Sequence, residues 1–244
     1  MSDEVIDSTK FVEQLLPYER NTFLWLNDSH NVFWDSFMWI YSGKLIWIPL
    51  VVTALLVFTY RKPWKQSILF VACFVLLACL CDQLSANIIK PYFERLRPTH
   101  HPDFENFVVT VNGYRGGKFG FVSAHAANGF GIATFTSLIF KYRRYTMVIF
   151  AWAILTAYSR IYLGVHFITD ILGGIVVGIL SGLLMYYLFQ LGRAKILKED
   201  RLSLSQSPFE RTTPNILMLA IGILVASIII MSSLNYLYGY DWFY

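Results

Sequence analysis

The chain has 244 residues, of which 56% are hydrophobic and 15% charged, with a formal net charge of +4. Mean hydropathy is positive, a balance outside that of an ordinary water-soluble domain and pointing to a lipid bilayer as solvent. The basic residues cluster in short loops between apolar runs rather than along one stripe that could track a phosphate backbone, which argues against a nucleic-acid partner.

In chain order, the first thirty residues carry Asp3, Glu4, Asp7, Glu13 and Glu19. They have no basic stretch leading into an apolar core, so a cleaved signal peptide is not expected. Thr9 to Asn27 mixes Phe11, Val12, Leu15, Leu16, Phe23, Leu24 and Trp25 with Glu13, Glu19 and Arg20, and Pro17 interrupts it. That composition predicts an interfacial helix on the outer membrane surface rather than a span.

Six runs then suit a bilayer crossing, which takes roughly 17 to 25 apolar residues. They lie at about Trp39 to Tyr60, Ser67 to Ile89, Ala124 to Phe140, Tyr145 to Tyr158, Phe167 to Leu191 and Pro214 to Tyr238. The expected fold is an all-α polytopic membrane helix bundle with six transmembrane helices, divided into an N-terminal interfacial segment, 1–38, and a transmembrane domain, 39–244. The terminal aromatics Tyr236, Tyr238, Tyr240, Trp242, Phe243 and Tyr244 read as an interfacial belt. Cys73, Cys79 and Cys81 share one apolar run and read as small hydrophobes.

More than half of the 20 Lys and Arg residues occupy three loops on one side: Arg61, Lys62 and Lys65; Lys141, Arg143 and Arg144; Arg193, Lys195, Lys198, Arg201 and Arg211. The excess marks that side as cytoplasmic. Both termini and the segment from Lys90 to Val122 are then expected on the outer face.

Three polar groups lie at the outer helix ends: Lys90 with Arg97-Pro98, Ser123-Ala124-His125, and Ser159-Arg160 with His166 and Asp170. Phosphoryl transfer through a covalent intermediate needs cations on the non-bridging oxygens, a nucleophile and an acid for the leaving group. Arg97 and Arg160 can supply forks, Lys90 a point charge, and Ser123 with the opening N–H groups of its helix further donors. His166 and Asp170, four apart, share a helix face, so the carboxylate can set the imidazole tautomer. His125, at another helix start, suits the general acid.

The order Lys90-x6-Arg97-Pro98, Ser123-x-His125, Ser159-Arg160-x5-His166-x3-Asp170 resembles the three-part signature of the type 2 phosphatidic acid phosphatase (PAP2) family. The resemblance implies a metal-independent, cofactor-free phosphohistidine enzyme. In it His166 attacks, Asp170 orients His166, His125 protonates the leaving group, and Lys90, Arg97, Ser123 and Arg160 bind phosphate. Val122 and Ala124 stand where the family usually has proline and glycine. A transporter or lipid-binding protein on the same fold is the alternative, though one with no evident use for an intact nucleophile, acid and clamp.

The resemblance implies a phosphorylated membrane lipid as substrate. Undecaprenyl diphosphate, lipid A, phosphatidylglycerol phosphate and phosphatidic acid all fit, and a short outward-facing chain favours the first two, in a bacterial inner membrane. The sequence carries no signal for oligomeric state. His100 and His101, between Pro98 and Pro102, read as structural. Asp82, inside a span, is either functional or locally satisfied. Gly113, Gly116, Gly117 and Gly120 lack the lysine and strand of a phosphate loop and read as a flexible lid. Gly173, Gly174 and Gly178 read as a helix-packing face.

Overall fold

The computed structural model describes residues 8–239. Asp3, Glu4 and Asp7, and the terminal aromatics Tyr240, Trp242, Phe243 and Tyr244, lie outside the described residues. The fold is all-α. Among the described residues the extended pairing is confined to one antiparallel bridge, Leu96 with Phe119.

The N-terminal region forms α1 (Ser8–Glu13) and α2 (Leu16–Asn27), and Pro17, in the first turn of the second helix, marks the break between them. Proline suits this place because the first-turn N–H has no intrahelical partner to lose. Leu16, Glu19, Phe23 and Asn27, spaced by three or four, make the buried stripe of α2. Tyr18 and Trp25 are exposed on its other side. Asn27 locks the helix end down, donating to the carbonyls of Val109, Ile161 and Tyr162 and accepting from the Val109 N–H at 2.9 Å.

The first expected span is broken. Helix α3 (Val32–Ser42) ends at Gly43, and after a single 3₁₀ turn α4 (Ile48–Thr59) leaves at 66°. Gly43 adopts an extended conformation, and Pro49 in the first turn of α4 has no N–H to continue the ladder upstream. The second span is one run, Trp64–Phe93, made of α5 (Trp64–Asp82), a π-helical stretch Gln83–Ile89 and α6 (Lys90–Phe93). The wider π turns rotate the following residues, which sets the direction from which Lys90 leaves the helix.

Helices α7 (Ala124–Phe140), α8 (Arg143–Tyr162) and α9 (Ile168–Lys195) form the centre, and a short α10 (Arg201–Ser205) leads to α11 (Thr212–Tyr238). Among the described residues three runs, ending at Phe93, Lys195 and Tyr238, are long and apolar enough to cross a membrane, and the bent α3–α4 pair makes a fourth if it is one span. The expected count of six is not reached on length and apolarity, because the central α7 spans only 17 residues and α8 carries polar residues into the protein interior.

Gly174, Gly178 and Gly182 of α9 press against α7. A Cβ on them would lie 2.5, 2.4 and 2.7 Å from the carbonyl oxygens of Ser123, Ala127 and Gly131. This stripe of small residues brings the two backbones, and so the two helix starts, into contact. Gly173 also packs closely, against Val122 and Phe121. Outward faces are apolar, with Leu172, Val176 and Leu180 on α9 and Leu219, Ile223 and Ile230 on α11 exposed, as expected where lipid covers them. The three cysteines are free, with Cys73 and Cys81 buried.

Candidate active site

The three motif segments meet at one end of the bundle. Asp170 lies in the first turn of α9, four residues after His166 in the preceding loop. Its Oδ2 sits 3.3 Å from His166 Nδ1 and accepts from the Phe167 N–H at 3.0 Å, capping the helix start. His166 is 1% and Asp170 0% exposed.

Arg97 Nη1 lies 3.2 Å from His166 Nε2 and also donates to the Val165 carbonyl at 3.0 Å. A guanidinium has only donors, so Nε2 must be the acceptor and Nδ1 the protonated nitrogen, facing Asp170. This tautomer, assigned from its partners, leaves the Nε2 lone pair on the side of the cations. Burial first, then the charges of Arg97, Arg160 and Lys90, hold the His166 imidazole well below its ordinary pKa. That depression favours the neutral ring, the form in which Nε2 carries a lone pair.

Arg97 is aimed by the Leu96–Phe119 bridge. Its N–H bonds the Lys118 carbonyl at 3.0 Å and its Nε the Phe119 carbonyl at 3.2 Å. Arg160, 3% exposed, points inward from the last turn of α8. Its Nη1 donates to Ser42 Oγ, its Nη2 approaches Tyr114 Oη at 3.4 Å, and its guanidinium sits 5.7 Å from the Tyr114 ring centre. The Arg160 Nε, buried, has no hydrogen-bond partner among the described residues. Lys90 is half-buried and within electrostatic range of Arg97, Asp170 and Arg160.

Ser123 caps α7, accepting from the Ala126 N–H at 3.5 Å, while its own N–H bonds the Asp170 carbonyl at 3.0 Å. That pair of bonds joins the starts of α7 and α9 and leaves the hydroxyl proton available. His125, in the first turn of α7, lines two cavities of about 570 and 590 Å³. The first runs between α4, α5, α7 and α11 and is mostly apolar in its lining. The second holds Tyr114 and Arg160, and Lys44 borders both.

All seven expected residues thus converge. His166, Asp170 and Arg97 touch, Ser123 is joined through the Asp170 backbone, Arg160 and His125 line one cavity, and Lys90 lies within electrostatic range of Arg97, Asp170 and Arg160. Other expectations change. Gly116 and Gly120 are pressed against the site rather than forming a free lid, since a Cβ would meet Arg97 Nη1 at 3.0 Å and Asp170 Oδ2 at 2.6 Å. His101 pairs with Glu13 at 3.4 Å and packs on Phe104, a structural role. Asp82 accepts from Asn128 at 2.7 Å at the wall of the apolar cavity. Ser42, Tyr114, Glu19 and Arg95 were not expected. Only Arg95 left a readable trace: Arg95-x-Arg97 in an extended segment puts both arginines on one face. Among the described residues no group of three His, Cys, Asp or Glu could hold a metal ion.

A sequence model of the PAP2 superfamily matches residues 69–193. The chain is 44% identical over 184 residues to the lipid A 4'-phosphatase of Porphyromonas gingivalis, covering 75% of this chain and 78% of that protein. To the lipid A 4'-phosphatase of Bacteroides thetaiotaomicron it is 35% identical over 178 residues, 72% of this chain and 79% of the relative. The crystal structure of Aquifex aeolicus LpxE matches with a TM-score of 0.53 and 25% identity, over 70% of this chain and 95% of that one. On an apolar multi-pass bundle, these likenesses define a membrane lipid phosphatase. The chain belongs to the PAP2 superfamily.

Proposed function

We propose that the chain removes the 4'-phosphate of lipid A. The observation that carries this reading is the 44% identity to the lipid A 4'-phosphatase of P. gingivalis across most of both chains. In this reading His166 Nε2 attacks phosphorus as the bond to the sugar oxygen breaks, and His125 gives that oxygen a proton. Asp170 accepts from Nδ1–H and stabilises the cationic phosphohistidine, while Lys90, Arg97, Ser123 and Arg160 hold the non-bridging oxygens. Water then attacks phosphorus, His125 takes its proton, and the P–N bond breaks to release phosphate and restore His166. No step draws on a metal or cofactor. The boundary between the interfacial segment and the membrane domain is read at the loop before α3, since a division at residue 38 would cut that helix (Val32–Ser42).

The test is phosphate release by the purified chain from a panel of lipid A, undecaprenyl diphosphate, phosphatidylglycerol phosphate and phosphatidic acid, each with EDTA present. Lipid A should be turned over with the highest kcat/KM, with loss of its 4'-phosphate by mass spectrometry. Preference for undecaprenyl diphosphate would transfer the assignment to that lipid, and loss of activity in EDTA restored by magnesium would remove the metal-free mechanism.

The site is placed on the outer face of a bacterial inner membrane, a reading supported by the basic residues of the three opposite loops. Gly117 has open space at its Cβ position, so Gly117→Cys in a background lacking Cys73, Cys79 and Cys81 should react with a membrane-impermeant thiol reagent in cells with an intact inner membrane. Reaction only after that membrane is broken would place the site inside.

A further inference from the structure

The loop that presents Arg97 carries a second arginine which the phosphate-binding set does not use. The Arg95 side chain is 0% exposed, a position an arginine tolerates only when its charge is matched; its Nε makes no hydrogen bond among the described residues and lies 3.9 Å from Glu13 Oε1. Its Nη1 donates to Asp170 Oδ1 at 2.8 Å and also meets Thr169 Oγ1, while its Nη2 donates to Glu19 Oε1 at 2.6 Å. The guanidinium carbon lies 4.6 Å from the Phe167 ring centre.

Glu19 comes from α2, outside the 69–193 segment that matches the family. It is 7% exposed, and its Oε2 accepts from the Thr169 N–H at 2.8 Å while Oε1 accepts from Thr169 Oγ1 at 2.7 Å. The Thr169 N–H is one of the first-turn donors of α9 that has no partner within its own helix. Glu19 therefore fixes two things at once, the fork of Arg95 and the helix turn that carries Asp170.

An unrestrained carboxylate turns easily about its last torsion. Here Arg95 occupies Oδ1, which leaves Oδ2 facing His166 Nδ1. A lysine could reach one of these partners but could not bridge both carboxylates with a planar fork.

We infer that Arg95 and Glu19 are positioning residues for phosphoryl transfer: a Glu19–Arg95–Asp170 chain holds His166 in its attacking orientation, which makes the N-terminal helix α2 part of the active site. The inference rests on His166 being the nucleophile. Neither residue touches the reacting phosphate, and both act through Asp170.

The test uses the full chain purified in detergent and para-nitrophenyl phosphate, whose burst of nitrophenolate reports transfer to the enzyme without a lipid tail. Arg95→Lys keeps the charge and loses the fork; Arg95→Met loses both; Glu19→Gln keeps the shape. The burst rate of the folded fraction should fall roughly 10- to 100-fold in Arg95→Lys and about 10-fold in Glu19→Gln, the scale of a misplaced reacting group. Half-saturation should stay within about twofold, because ground-state binding is untouched. The Glu19→Gln/Arg95→Met double variant should be slower than Arg95→Met by less than the full Glu19→Gln loss, since Glu19 acts partly through Arg95 and partly through Thr169.

Should Arg95→Met fail to fold, the two closer replacements still decide the matter. Wild-type burst rates in folded Arg95→Lys and Glu19→Gln would overturn the inference. So would a loss confined to half-saturation, or losses that multiply in the double variant. A phosphoenzyme that still forms in His166→Ala would instead overturn the assignment of the nucleophile, whatever Arg95 and Glu19 do.

Discussion

His166→Ala is expected to be inactive, with turnover at least ~10⁴-fold below the unaltered protein, because removal of a nucleophile leaves only binding and electrostatic stabilisation. No neighbour can take its place. Asp170 is already committed through both oxygens to Arg95, His166 and the Phe167 N–H, and the Ser123 oxygen is engaged in capping α7. The fold should persist, since the truncation leaves the Asp170–Arg95–Glu19 bonds and the Arg97 bonds to the Val165 and Phe119 carbonyls in place. The measurement is rapid-quench trapping of radiolabelled phosphate on the protein, beside a thermal melt. The unaltered chain should carry acid-labile phosphate and the variant none. Label on a folded His166→Ala protein would identify a different nucleophile.

The site and the fold were legible in the sequence to different degrees, for physical reasons. The spacing of the proposed site was readable because each motif is local: His166, in the loop before α9 rather than on the helix face expected for it, lies four residues from Asp170 in the first turn, and Ser123 sits at a helix start where it also serves as cap. Long apolar runs were readable because lipid demands them. The break at Gly43 was not, since the short Ser42-Gly43-Lys44 interruption lies inside a run still long enough to cross a bilayer, and the 66° bend is set by the turn geometry. The buried position of Glu19 was also hidden, because its partners Arg95 and Thr169 lie 76 and 150 residues away. Seen alone, Glu19 was one more charge on an amphipathic helix. The packing of α2 through Leu16, Phe23 and Asn27 is what carries that charge to the start of α9.

The second large effect is expected at His125, and its size should depend on what leaves. His125 stands in the first turn of α7, borders both cavities and is within electrostatic range of Arg160 and His166. It shares a helix face with Asn128, which bonds Asp82 at 2.7 Å and the Ala124 carbonyl at 3.1 Å. A sugar alkoxide is a poor leaving group and needs its proton as the P–O bond breaks, so His125→Ala should slow release of phosphate from lipid A by roughly 10²- to 10⁴-fold. Nitrophenolate departs without a proton, and the burst with para-nitrophenyl phosphate should fall no more than about tenfold. The later attack of water loses its base with either substrate. Phosphoenzyme should therefore accumulate when the aryl phosphate is used, because it forms readily and is hydrolysed slowly. Measured side by side, unequal losses together with accumulated phosphoenzyme would establish His125 as the acid and later the base. Equal losses on the two substrates, with no accumulation, would make His125 a binding residue and leave the proton to another group.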